Sequence, residues 1–221
     1  MARFGMVIDT RKCVGCMDCV VACQTENDVP DGYCRDWIVQ RLQGSMPNLR
    51  LTITSERCNH CDAPPCVTCC PTGASHVHDF GKVVLVDHGK CIGCKACLAA
   101  CPYDARFIHP DGYADKCTFC IHRVERGIDP ACVSVCPTHS MYFGDLDDPE
   151  SEVSRLIASR RHFVLKPNAA LYYPAILLWI ACYRRREPLS VELRPLLASI
   201  AGKSWLHCAE HEREPAARRG L

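Results

Sequence analysis

Sixteen cysteines fall into four groups of four, and no other feature of the chain restricts its fold so tightly. Cys13, Cys16, Cys19 and Cys23 come first, followed by Cys58, Cys61, Cys66 and Cys70, then Cys91, Cys94, Cys97 and Cys101, and last Cys117, Cys120, Cys132 and Cys136. The first and third groups share the spacing C-x2-C-x2-C-x3-C. The second and fourth share C-x2-C, a gap of variable length, and C-x3-C followed by Pro71 or Pro137. Two motif types alternating along 221 residues are an internal repeat, in a chain long enough for one compact domain or two small lobes sharing a core.

Disulfide scaffolds, zinc sites and iron-sulfur proteins all use cysteine at the density of twenty in this chain. Disulfide frameworks belong to short secreted chains, whereas this chain is longer and keeps its cysteines in tight local runs. Met1 to Thr10 lacks a basic stretch followed by an apolar run and a small-residue cleavage site, so no signal peptide of its own is expected. Zinc sites are commonly built from two separated C-x2-C pairs, which makes a zinc-binding interaction module the second reading. Three ligands recurring every three residues favour iron-sulfur instead, because a tight loop then presents three sulfurs to one face of a cubane. In the run C-x2-C-x2-C-x3-C-P the fourth cysteine ligates the other cluster of a pair. Cys91 to Pro102 fits that run in full, while Gln24 replaces the proline after Cys23. Gly15 and Gly93 sit between the first two ligands of the compact groups, where the backbone must turn tightly and bring N–H groups near sulfur.

Basic and acidic side chains number 26 and 25, so the net charge of +1 excludes nucleic acid as an expected partner and offers no electrostatic membrane anchor. No nucleophile with a nearby base, phosphate-binding glycine loop or carboxylate pair stands out, so no catalytic residue and no direct small-molecule substrate is expected. The pattern predicts strands at Phe4–Asp9 and Gly81–Asp87 and short helices at Val20–Asn27 and Leu98–Ala100, with Pro30 and Pro102 placed to stop them. The fold class expected is α+β and loop-rich. So small an apolar core needs metal-ligand bonds for part of its folding energy, and apoprotein is expected to be largely unfolded. Residues 169–183 form an apolar run of fifteen containing Pro174 and followed by Arg184, Arg185 and Arg186. A spanning helix wants about 20 apolar residues, so docking onto a partner is the expected use, ahead of an interfacial contact or a span.

The blocks CVGCMDCVVACQTEN from Cys13, CNHCDAPPCVTCCPTGAS from Cys58, CIGCKACLAACPYDARFIHP from Cys91, and DKCTFCIHRVERGIDPACVSVCPTHSMYFGDLDDP from Asp115 carry a family resemblance. They resemble the four-cluster iron-sulfur (beta) electron-transfer subunits of molybdopterin oxidoreductases, whose members serve polysulfide, thiosulfate, tetrathionate, dimethyl sulfoxide and arsenate reductases. The resemblance implies two ferredoxin-like lobes, one inserted in the other: residues 1–56 with 103–150 as the outer lobe and 57–102 as the inserted lobe. It fades after about residue 174, and residues 151–221 are expected from their own sequence to be a C-terminal extension that docks or is partly disordered. The resemblance further implies four 4Fe-4S clusters. The outer pair is held by Cys13, Cys16, Cys19 with Cys136, and by Cys117, Cys120, Cys132 with Cys23. The inserted pair is held by Cys58, Cys61, Cys66 with Cys101, and by Cys91, Cys94, Cys97 with Cys70.

Cys66 stands where relatives with a 3Fe-4S cluster carry tryptophan. Cys69 adjoins Cys70, but the x3 spacing and Pro71 favour Cys70. Cys34, Cys182 and Cys208 read as incidental thiols, and His60, His122 and His139 either donate to sulfur or pack at the surface. The implied partners are a molybdopterin catalytic subunit and a membrane quinol-linked subunit, with this chain passing single electrons between them. The wording of CPYDARFIHPDGY, KCTFCIHRVE and FGDLDDPES is most like the polysulfide and thiosulfate branch, tetrathionate close behind. Such complexes imply membrane association through the partner, on the periplasmic face by co-export with the catalytic subunit.

Overall fold

The computed structural model describes residues 2–165 and the backbone of 175–178. The elements run β1 (Phe4–Asp9), α1 (Asp18–Glu26), β2 (Asp36–Gln43), β3 (Arg50–Arg57), α2 (Pro65–Thr68), β4 (Ser75–Val77), a 3-10 turn at Phe80–Lys82, β5 (Val84–Val86), α3 (Ala96–Ala99), β6 (Phe107–Ile108), β7 (Ala114–Asp115), α4 (Ile121–Val124), α5 (Ala131–Ser134), β8 (Met141–Asp145), α6 (Glu152–Ser159), β9 (His162–Phe163) and β10 (Ala175–Leu178). Helices and strands are mixed and mostly short, because the chain turns back at each cysteine group.

β1 is the strand most enclosed by its neighbours. It reads FGMVID, is buried from Gly5 to Asp9, and lies between antiparallel β8, with Met6 opposite Phe143, and parallel β10, with Met6 opposite Ala175. A strand buried on both faces reads as a continuous apolar run, as this one does. Val7 packs on Val153 and Leu156 of α6, while Met6 and Ile8 face a core made with Tyr103, Phe119, Met141 and the cysteines. α6 begins where Ser151 Oγ accepts the Ser154 N–H at 3.2 Å. At the end of β1 the buried Asp9 takes Arg11 and Arg160 at 3.0 Å each. Burial pushes that carboxyl up, but hydrogen bonds and charge from Arg11, joined by Arg160, hold it below its ordinary value.

The cysteine groups meet through their helices. α1, carrying Cys19 and Cys23, packs on α5, which carries Cys132; α2, carrying Cys66, packs on α3, which carries Cys97. The first group is thus brought to the fourth and the second to the third. The β2–β3 hairpin, registered from Asp36 opposite Arg57 to Gln43 opposite Arg50, lies over the first loop, where Ile38 and Ile53 side chains approach Gly15. Two small antiparallel pairs, β4–β5 and β6–β7, flank the second and third groups.

Phe4–Asp9 is a strand as expected, and the expected helices occur at Asp18–Glu26 and Ala96–Ala99. Of the strand expected at Gly81–Asp87 only Val84–Val86 forms. Gly81 adopts φ +69°, and a Cβ there would collide with the Phe4 ring, so the chain turns before extending. Ala175–Leu178, inside the apolar run, is a strand between β1 and β9, so this part of the run packs within the chain's own sheet. The rest of that run, together with Cys182, Arg184, Arg185, Arg186 and Cys208, lies outside the described residues. Among the described residues no helix is long and apolar enough to cross a membrane.

Arg35 and Asp115 form a two-pronged pair at 2.9 Å, almost fully buried, tying the segment before β2 to β7. Replacing Arg35 with Met leaves Asp115 buried without its cation, and a loss of about 3–5 kcal/mol is expected. A clearly lowered thermal denaturation midpoint checks it, and an unchanged midpoint refutes it.

Candidate iron-sulfur centres

Two hollows are walled by thiols. One is lined by Cys58, Cys61, Cys66 and Cys101, with Pro64, Pro65, Pro102 and Tyr103 closing its sides. The other is lined by Cys70, Cys91, Cys94 and Cys97. In the region of the first and fourth groups, burial comes first in raising the pKa of Cys13, with Cys136 and Cys16 adding to it, and burial and then Asp36 come before Cys117, Cys132 and Cys120 in raising that of Cys23. None of the eighteen described cysteines is paired in a disulfide. Among the described residues no three cysteine, histidine or carboxylate side chains converge closely enough to hold one metal ion. The thiols instead face each other across a hollow, the arrangement a multi-iron cluster requires.

The loops produce this geometry by repetition. Gly15 and Gly93 adopt φ +71° and +64°, and Met17 and Lys95, two residues on, adopt +68° and +64°. Each compact loop therefore winds the same left-handed way before its helix begins. In the C-x2-C loops of the other two groups, His60 and Phe119 occupy equivalent places with φ +44° and +53° and stack on each other at 3.8 Å. His60 is fully buried, and its Nδ1 accepts the Val84 N–H at 3.1 Å, so it neither donates to a sulfur from that atom nor packs at the surface. His122 pairs with Glu26 at 2.8 Å, and His139 offers its backbone carbonyl to Lys12.

Sulfur atoms here accept hydrogen bonds, which suits thiolates and cluster ligands. Cys70 Sγ receives the Ser75 N–H at 3.4 Å and Cys136 Sγ the Ser140 N–H at 3.3 Å. Burial raises both thiols, but those N–H groups and the hydroxyls of Thr72, Thr138 and Ser140 bring each below its ordinary value. Cys91 Sγ receives the Ala114 N–H at 3.3 Å, and Asn27 Nδ2 reaches Cys23 and Cys120 at 3.6 and 3.7 Å. The deeper thiols go the other way. Burial, followed by neighbouring thiols or Asp36, pushes Cys19 up to about 11 and Cys61 up to about 12, and raises Cys23 further. Burial likewise takes Cys117 up to about 12, against the pull of Arg57. These thiols therefore stay protonated at neutral pH, and metal binding has to displace those protons.

Cations were the part sequence reasoning missed. Arg57, Arg106 and Lys116 are all buried; Arg57 Nη1 donates to Cys132 Sγ at 3.0 Å and Arg106 Nη2 to Cys66 Sγ at 2.9 Å. A signal did exist, since Arg57 and Lys116 each stand immediately before the first cysteine of a gapped group. Cys34 and Cys69 are partly buried, and neither lines a hollow.

The hollows and their thiol linings define an iron-sulfur protein of the dicluster kind, and residues 49–146 match the family described as the 4Fe-4S dicluster domain. A tetrathionate reductase subunit of Salmonella typhimurium is 45% identical over 172 residues, covering 75% of this chain and 68% of the relative. A polysulfide reductase chain of Wolinella succinogenes is 41% identical over 173 residues, covering 76% and 89%. The thiosulfate reductase electron transfer subunit of Salmonella typhi is 44% identical over 162 residues, covering 72% and 83%. This protein belongs to the same family, the iron-sulfur subunits of respiratory reductases.

A Cβ at Gly93 would collide with the backbone carbonyl of Gly112, whereas one at Gly15 would meet side chains alone, Ile53 at 3.3 Å, Gln40 at 3.4 Å and Ile38 at 3.5 Å. Both positions have positive φ, but only the first has an unyielding neighbour. Gly93→Ala is therefore expected to lose about four iron per chain, one cubane, while Gly15→Ala keeps more of its iron. Iron analysis of the two purified variants decides it, and equal losses would refute the contrast.

Proposed function

We propose that this chain is the electron-transfer subunit of a respiratory reductase complex, passing single electrons along four 4Fe-4S clusters. The carrying observation is the sorting of thiols into two hollows that each take three cysteines from one group and the fourth from the other. Cys58, Cys61, Cys66 and Cys101 hold one cluster, and Cys91, Cys94, Cys97 and Cys70 the next. The packing of α1 on α5 supports the same exchange in the outer pair, with Cys13, Cys16, Cys19 and Cys136 on one cluster and Cys117, Cys120, Cys132 and Cys23 on the other. The segments 1–56 and 103–150 then form one ferredoxin-like lobe and 57–102 the inserted one.

Exposure favours a wire with two ends. Cys16 and Cys94, one from each compact group, are solvent-exposed, Cys16 beside exposed Val14, Met17 and Val21 and Cys94 beside exposed Ile92. Apolar surface beside a ligand loop is where a partner would exclude water and bring its own redox group near. The relatives are subunits of multi-subunit reductases, so the partners proposed are a molybdopterin catalytic subunit and a membrane subunit linked to quinol. Membrane association through that second partner, on the periplasmic face, completes the reading. The terminal substrate belongs to the catalytic partner. We place the complex with polysulfide and thiosulfate reductases, and identities of 41–45% to polysulfide, thiosulfate and tetrathionate reductase subunits do not separate these branches.

Iron and acid-labile sulfide on anaerobically purified protein test the reading. About sixteen of each per chain, with coupled 4Fe-4S electron paramagnetic resonance signals after dithionite, is the expected result; zinc with little iron would overturn it. Cys70→Ser is expected to perturb one cluster and remove up to about four iron, while Cys69→Ser leaves the content unchanged. The opposite outcome would exchange the roles of the two residues.

A further inference from the structure

The three buried cations stand at three successive places along the proposed wire. Arg57 Nη1 donates to Cys132 Sγ, and its Nη2 donates to Ser55 Oγ, which lies 3.9 Å from Cys19 Sγ. Cys132 and Cys19 belong to the two different ligand sets of the outer pair, so Arg57 lies between them. Arg106 lines both thiol hollows. Its Nη2 donates to Cys66 Sγ and to Ser75 Oγ, each at 2.9 Å, and its buried Nη1 has no hydrogen-bond partner among the described residues. Lys116 is 1% exposed, and its Nζ donates to the carbonyl of Cys117, at 2.7 Å, and to that of Val84. Cys117 is a ligand of the outer pair, and Val84 lines the hollow of Cys58, Cys61, Cys66 and Cys101. Lys116 therefore bridges the outer pair and the inserted pair. The stacked rings of His60 and Phe119 lie at the same junction, with the Val84 N–H bound to His60.

Burying a cation is costly unless something anionic compensates it. Arg57 has Asp36 at 3.6 Å. Arg106 and Lys116 direct their donors to a thiol, a hydroxyl and backbone carbonyls, and Arg106 keeps one donor unused. Anionic clusters in the adjoining hollows would supply the missing counter-charge. Reduction adds one electron to a cluster, and a fixed positive charge nearby stabilises the reduced form more than the oxidised form, raising the potential.

Resting on the ligand sets proposed above, we infer that Lys116 and Arg106 are positioning residues for electrons. Lys116 biases the step between the outer and inserted pairs, and Arg106 biases the step within the inserted pair. The set of Cys58, Cys61, Cys66 and Cys101 stands between both cations and is raised by each. Arg57, facing Asp36, contributes a smaller net field at the remaining step.

The test is a redox titration of the full chain, purified anaerobically and followed by electron paramagnetic resonance, in Lys116→Met, Lys116→Arg, Arg106→Met and Arg106→Lys. Iron content is measured first: wild type holding zinc or few iron atoms would refute the cluster reading itself. With clusters present, Lys116→Met is expected to shift the midpoint potentials of two clusters downward, and Arg106→Met those of two, with one cluster moving in both. The conservative Arg and Lys variants should return those midpoints towards wild type, which a merely structural role would not require. If Lys116→Met fails to assemble, the Arg106 pair carries the same decision. Midpoints unmoved in variants of full iron content would overturn the inference and leave the electron-transfer reading standing.

Discussion

Thiols crowded into a small core raise one another's pKa, and the rest of this structure is arranged around that difficulty. Burial comes first in the rise of Cys19, Cys23, Cys61 and Cys117, and neighbouring thiols add to it in each. Iron bound in place of the protons would turn the same crowding into coordination.

The four-stranded sheet supplies the rigid edge of this arrangement. β1 is enclosed by β8, β10 and α6, and its register carries Phe4 against Phe80 and Phe143, which in turn meets Phe119 in the fourth cysteine loop. Phe119 then stacks on His60 in the second. A chain of ring contacts thus runs from the sheet to the loops, and the two C-x2-C loops meet ring to ring rather than through solvent. Asp9, closing β1 with Arg11 and Arg160, locks α6 to the same frame.

Repetition shaped both the parts that were legible and the parts that were not. Cysteine spacing with the family resemblance was enough to single out sixteen candidate ligands, because a loop of three-residue steps can present its sulfurs in only a few ways. Strand Phe4–Asp9 was legible because its apolar run is unbroken. Gly81 defeated the longer strand expected from Gly81 to Asp87, since its left-handed turn answers to the Phe4 ring, seventy-seven residues earlier in sequence. The apolar run at 169–183 looked like a docking or membrane element, and only pairing with β1 revealed a strand at Ala175–Leu178.

What the sequence by itself determined is therefore the chemistry: ligand type, ligand spacing, alternating motifs and the glycines that let the loops wind. Local covalent distance controls those features, so they survive without knowledge of the fold. Tertiary structure decided which charges face the thiols. Arg57, Arg106 and Lys116 look like ordinary surface side chains in a sequence of balanced charge, and Asp36 like an ordinary strand residue. Their burial, and the placing of each cation against ligands from separate groups, depends on how distant segments pack, because an electrostatic field reaches across space and takes no account of order along the chain.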